Sequence, residues 1–168
     1  MISIFQRHAK FDIPNALRRG HDDVRTKLVR AATETGPVTA AANRLAKLCL
    51  PHFRWEERTL FPALGLLPDL ARGQVRPEMQ KVLPMIAEFS ARQDALNKRH
   101  RSILLAIEAF AQVAQRNNHR EFAEFAYNMK VHEWIEDEVI FPIVFLIGKY
   151  LQERLVGQQP EQSDCTLR

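Results

Sequence analysis

Six residues of two kinds, set in a doubled pattern, carry most of the chemistry open to this chain. His52-Phe-Arg-Trp-Glu56 runs on to Phe61-Pro62, and His132-Glu-Trp-Ile-Glu136 runs on to Phe141-Pro142. In both copies the glutamate follows the histidine by four residues and the Phe-Pro pair by nine and ten. A further histidine precedes each copy, His21 by thirty-one residues and His100 by thirty-two. A two-helix unit is therefore written twice. Residues four apart share a helix face, roughly 6 Å apart along the axis, so Glu56 joins His52 and Glu136 joins His132. In an antiparallel hairpin, residues equidistant from the turn lie at one height. The midpoint of His21 and His52 falls on Gly36-Pro37, and that of His100 and His132 beside Asn117-Asn118. The midpoint of His52 and His100 falls near the end of a Gly- and Pro-containing stretch, Gly65 to Pro77. All four histidines are expected in one layer.

A lone histidine on an apolar stripe is ordinarily a satisfied core residue, and one His–Glu pair an ordinary buried hydrogen bond. Six such groups at one level are different. Two buried carboxylates without a compensating cation each cost several kcal/mol, and neither Lys nor Arg shares their inward stripe. A metal removes that cost. Imidazole and carboxylate without thiolate suit iron, manganese or zinc, and six ligands exceed what one tetrahedral zinc uses. The expected site is two metal ions on His21, His52, Glu56, His100, His132 and Glu136. Each ion takes two histidines, Glu56 and Glu136 bridge, and positions are left for an oxo or hydroxo bridge and a small ligand. No side chain is assigned a catalytic role.

The remaining candidates rank lower. Glu57 and Asp137 follow the two motif glutamates, and Asp137 is a further possible ligand. Glu133 points roughly 100° around the helix from His132 and is a spare ligand at most. His119 lies thirteen residues before His132, roughly 20 Å along a helix, and is too far away. His8 is outside the pattern. Cys49 is expected to be an inert, core-packed thiol, and Trp55 and Trp134 to pack the bundle and limit water at the metals.

These residues need four helices to position them. The first is predicted from Pro14 to Thr35, with Leu17, Val24, Leu28 and Ala31 on one stripe and Gly36-Pro37 as its stop. The second is predicted from Val38 to Leu64, with Leu45, Leu48 and Trp55 inward and a bend or break at Pro51. Gly65 to Pro77 reads as a connection. The third runs from Glu78 to Arg116, kinked at Pro84, with Phe89, Leu96, Ile103, Ile107 and Phe110 inward. Asn117-Asn118 is the next turn. The fourth runs from His119 to Leu155, with Phe122, Phe125, Met129, Val139 and Ile143 inward. The fold expected is all-α: an antiparallel up-down four-helix bundle over residues 14–156, an N-terminal arm over 1–13 and a flexible, polar C-terminal tail over 157–168.

Composition agrees with one globular domain: 168 residues, 46% hydrophobic and 26% charged. The net charge of +4 comes without any run of five or six like charges, so no nucleic-acid partner is expected. Two cysteines, Cys49 and Cys165, make no disulfide framework. The first residues lack a signal peptide's apolar core and no apolar run reaches spanning length, so no membrane is expected and the cytoplasm is the expected location.

The set His21, His52-x-x-x-Glu56, His100 and His132-x-x-x-Glu136, with its Leu60-Phe61-Pro62 and Ile140-Phe141-Pro142 ends, resembles the hemerythrin/HHE cation-binding family over about Leu17 to Tyr150. The resemblance implies non-haem iron rather than manganese or zinc, and a diatomic ligand, oxygen or nitric oxide. Ferritin-like bundles use Glu-x-x-His instead, and no histidine here has Glu three residues before it. Oxygen-carrying hemerythrins use five histidines, two of them spaced His-x-x-x-His. Here Leu96 and Leu104 flank His100 at that spacing, and Asp137 occupies the slot of their last carboxylate. Four histidines and two glutamates are similar instead to the di-iron domain of iron–sulfur cluster repair proteins. Those carry a cysteine-bearing N-terminal domain, for which this chain begins too close to its first helix. The expected function is a protein that binds or senses oxygen, nitric oxide or iron. The alternatives are a redox di-iron enzyme or repair protein handling nitric oxide or peroxide, and a metal-free interaction bundle.

Overall fold

The structure is a computed structural model that describes residues 11–155 and 157. The greater part of the expected arm (residues 1–10, with His8) and of the expected tail (158–168, with Cys165) lies outside them. Among the described residues every regular element is helical. They are α1 Asn15–Ala32, α2 Pro37–Thr59, α3 Phe61–Leu64, α4 Leu67–Ala71, a 3₁₀ segment Pro77–Val82, α5 Leu83–Ala91, α6 Gln93–Arg116, α7 Arg120–Ile135, a π segment Glu136–Ile140 and α8 Phe141–Leu155.

The turns form where the punctuation residues stand. Gly36 takes φ 81°, a left-handed value that suits glycine, and Pro37 opens α2 where its missing N–H costs nothing. Asn118 takes φ 60° between α6 and α7, a conformation asparagine tolerates better than most residues. Helix α1 packs on α2, α2 on α6, α6 on α7, and α7 on α1, while α8 packs on α3 and α5.

Several boundaries differ from expectation, and proline accounts for most of them. Helix α2 runs unbroken through Pro51, which faces solvent, and ends instead at Thr59, just before Phe61-Pro62. Pro62 lacks the N–H that would continue the ladder, and it sits instead in the first turn of α3, where that loss costs nothing. The expected third helix is divided: α5 follows the 3₁₀ segment with Pro84 in its first turn, and a further break falls at Arg92. The connection after Gly65 contains α4. A side chain at Gly65 would collide with the backbone carbonyl of Asp12, so glycine here lets residues 11–13 lie close.

Two apolar cores result. One gathers Val24, Leu28, Leu45, Phe53, Ile103, Phe110 and Met129, and the other Leu60, Phe61, Met79, Phe89, Leu96, Phe141 and Leu151. Along α1, α2, α6 and α7–α8 the chain passes from one core to the other, and the change comes at the histidines and glutamates. On α6, for example, Leu96 belongs to one core, Ile103 to the other, and His100 lies between. The predicted inward stripes hold except at Val139, which is 46% exposed. Helix α7 continues into α8 through one π turn, in which the Phe141 N–H donates to the Glu136 carbonyl. Five residues rather than four then separate inward positions Glu136 and Phe141, which turns Val139 to solvent.

Candidate metal centre

Four helices deliver the side chains to this layer. His21 comes from α1, His52 and Glu56 from α2, His100 from α6, and His132 and Glu133 from α7, with Glu136 opening the π turn. His21, His52, Glu56, His100, Glu133 and Glu136 are all buried, while the His132 side chain is 21% exposed at the rim. The histidine rings fall into two pairs, His52 with His100 at 4.6 Å between centroids and His21 with His132 at 5.2 Å.

Both motif carboxylates face both pairs. Glu56 Oε1 is 3.1 Å from His52 Nε2 and 4.0 Å from His100 Nε2, while its Oε2 is 3.5 Å from His21 Nε2. Glu136 Oε1 is 3.0 Å from His132 Nε2 and 3.6 Å from His21 Nε2, while its Oε2 is 4.0 Å from His52 Nε2. Donor atoms of His52, His100, Glu133 and Glu136 lie within 4.8 Å of one another, as do those of His21, His132 and Glu136.

Outside this ring the internal repeat reappears. The His21 Nδ1–Glu57 Oε1 hydrogen bond is 3.0 Å, and Glu57 is held in turn by Arg25 at 2.7 Å. Its counterpart in the second copy is His100, whose Nδ1 is 2.9 Å from Asp137 Oδ1. A carboxylate on Nδ1 fixes the proton there and leaves Nε2 as the lone-pair nitrogen, the arrangement in which metal-bound imidazoles are held.

The electrostatics of the layer are unbalanced by protein alone. Burial pushes the Glu56 and Glu133 carboxyls well above the usual range, and the Glu136 charge adds to both. Burial would raise Glu136 too, but the imidazoles of His132, His21 and His52 close to it outweigh that and hold the carboxyl low. Burial lowers His52 to about 4, and it lowers His100 with help from His52. His132 is raised because Glu136 and Glu56 outweigh its burial. Among the described residues, Nε2 of all four histidines and both oxygens of Glu56, Glu133 and Glu136 are buried without a hydrogen-bond partner. Buried polar groups are nearly always satisfied, so ten such atoms in one place call for a partner outside the protein. A cation fits. The buried His/Glu cluster can hold a metal ion.

Glu133, expected as a spare ligand at most, belongs to the buried layer. It is fully buried, with Oε2 3.7 Å from His100 Nδ1, whereas His132 lies nearer the surface. The available signal was its spacing of three from Glu136 and four from Met129, which puts all three on one face. Trp134, expected to pack the bundle and limit water at the metals, is instead 44% exposed, with Lys130 over its ring, and does not shield the centre. Trp55 is half-buried and packs on Phe89. Cys49 is buried, and burial together with Glu133, Glu136 and Glu56 pushes its thiol up, away from the reactive thiolate. His119 stacks on Phe122 at the start of α7, apart from the layer.

Comparison of the chain with protein-family models, with curated proteins and with solved structures finds no match.

Proposed function

We propose that this chain is a hemerythrin-like, antiparallel four-helix bundle that holds two non-haem iron ions and binds or senses oxygen, nitric oxide or iron itself, in the cytoplasm. His52 and His100 would hold one ion, His21 and His132 the other, and Glu56 and Glu136 would bridge them. The observation that supports this most is the disposition of those two carboxylates, each with one oxygen toward each histidine pair. When bound, such a pair of ions supplies open coordination positions and a redox couple suited to a diatomic ligand. The chain's own part is positional. Glu57 and Asp137 orient His21 and His100, and the apolar cores on either side exclude water. Among the described residues no helix is long and apolar enough to cross a membrane.

Elemental analysis and an absorption spectrum of protein purified without chelator test this reading. The expected result is two irons per chain and the bands of a bridged diferric pair. Glu56→Ala is expected to lose one or both ions. A variant that keeps both with an unchanged spectrum removes the bridging role.

Glu133 favours a second reading, a redox enzyme or repair protein acting on nitric oxide or peroxide. It is a buried carboxylate held toward its protonated form beside the centre, the kind of proton-holding group such reactions use. Rapid mixing of the reduced protein with nitric oxide separates the two. A stable, reversible adduct belongs to the binding protein, and turnover with released product to the enzyme.

A further inference from the structure

His52 differs from His21 and His100 in what lies behind it. His21 has Glu57 on its Nδ1 and His100 has Asp137 2.9 Å from its own, but among the described residues the Nδ1 of His52 is buried with no carboxylate that close to it. The ring itself is 1% exposed and lines a cleft of about 260 Å³ between α2 and α6. The other polar side chains lining that cleft are Trp55, Arg58, Arg92 and Arg99, and among the described residues none that lines it is acidic. The indole nitrogen of Trp55 is likewise buried without a partner. Among the described residues Arg58 bonds the Arg54 carbonyl alone, and Arg92 reaches Glu88 at 3.4 Å. His52, Trp55 and three arginines thus line one cleft, and the imidazole Nδ1 and indole nitrogen beneath it have no partner among the described residues.

We propose that this cleft binds a small oxyanion of the carboxylate or phosphate class, which accepts hydrogen bonds from His52 Nδ1 and Trp55 Nε1 and is neutralised by the arginines. The bound anion does for His52 what Glu57 and Asp137 do for His21 and His100. It orients the ring from outside and makes its Nε2 more basic. The donor inventory fits: guanidinium groups supply paired N–H donors matched to two oxygens, and the imidazole and indole donate one each. The tuning of the metal rests on the reading of His52 as a ligand, since Nδ1 carries the proton when Nε2 faces a cation. The binding of the anion does not rest on it, because the Trp55 and arginine donors are present in either case.

Calorimetric titration of inorganic phosphate and of acetate into the full chain tests the proposal, with metal content measured on the same samples. Saturable binding of one anion per chain is expected, weakened about tenfold in Arg99→Gln and in Trp55→Phe, the loss of one charge-assisted or buried hydrogen bond. The two probes distinguish a phosphate ligand from a carboxylate one. Binding that is unchanged in both variants but vanishes when metal is stripped places the anion on the metal itself and overturns the cleft. So does the absence of saturation by either probe. Binding that persists in metal-free protein and falls in both variants supports the cleft, whatever the metal analysis finds. In the metal-loaded protein, phosphate or acetate is also expected to shift the absorption spectrum of wild type and not of Trp55→Phe; an identical shift in the variant counts against the tuning.

Discussion

Glu57 and Asp137 do for their histidines what a sequence motif cannot state. Both follow a motif glutamate, and both reach the histidine contributed by the preceding helix rather than their own. Such carboxylates typically set metal affinity by ten- to a hundredfold (about 1.4 to 3 kcal/mol) through the orientation and basicity of the ligand. Glu57→Ala and Asp137→Ala are each expected to weaken metal binding by roughly that factor while leaving the ligand set in place, as read by competition with a chromophoric chelator. Unchanged affinity in both variants would mean that the histidines are held by packing alone. At this scale the sequence is informative wherever a residue type recurs at helical spacing, and His21, His52, Glu56, His100, His132 and Glu136, singled out that way, come together in one layer. It misled at Glu133 because the inward face of α7 was anchored on His132. The buried run Met129, Glu133 and Glu136 shows that the face is centred one residue later.

The two copies of the repeat resolve the same Phe-Pro signal in different ways. In the first, the Leu60 N–H keeps its bond to the Glu56 carbonyl at 2.8 Å, and α2 then stops. In the second, the bond to the Glu136 carbonyl comes one residue later, from Phe141, and the helix continues through a π turn. Proline announces that the ladder must be interrupted, but not whether the chain breaks or widens, since that depends on what packs beyond it. Here Phe141, Val144, Ile147 and Leu151 must meet the core built from Phe89 and Leu96, and the extra residue brings them there. A strict 3.6-residue reading therefore put Val139 inside. The structure predicts that Val139→Asp costs under about 0.5 kcal/mol, as surface changes do, whereas Phe141→Ala costs roughly 3 to 5 kcal/mol. Urea unfolding measures both. A large loss from Val139→Asp with a small one from Phe141→Ala would restore the uninterrupted helix.

For the molecule as a whole, an ionisable layer between two apolar cores ties stability to pH and to metal together. Burial raises Glu56 and Glu133 in the folded chain above the ordinary 4.5, so above that pH the unfolded chain binds fewer protons than the folded one. Stability of the metal-free protein then falls as pH rises from 4.5. His52 acts at the other end: held at about 4 against an ordinary 6.5, it takes up its proton more readily in the unfolded chain, so stability falls as pH drops through that window. Metal-free protein is weakened from both sides. A cation at the layer favours ionised carboxylates and neutral imidazoles, and by mass action it adds about 2.7 kcal/mol at a hundredfold excess over its dissociation constant. For a chain of this size that is a rise in Tm of roughly 5 to 10 °C. Anaerobic ferrous iron is therefore expected to raise the Tm by that amount at pH 7, and by progressively less toward pH 5 as protons compete for the histidines. Thermal unfolding followed by circular dichroism, with iron and with chelator, gives both profiles. If the two curves coincide across that range, the layer is satisfied by the protein alone and no cation belongs there.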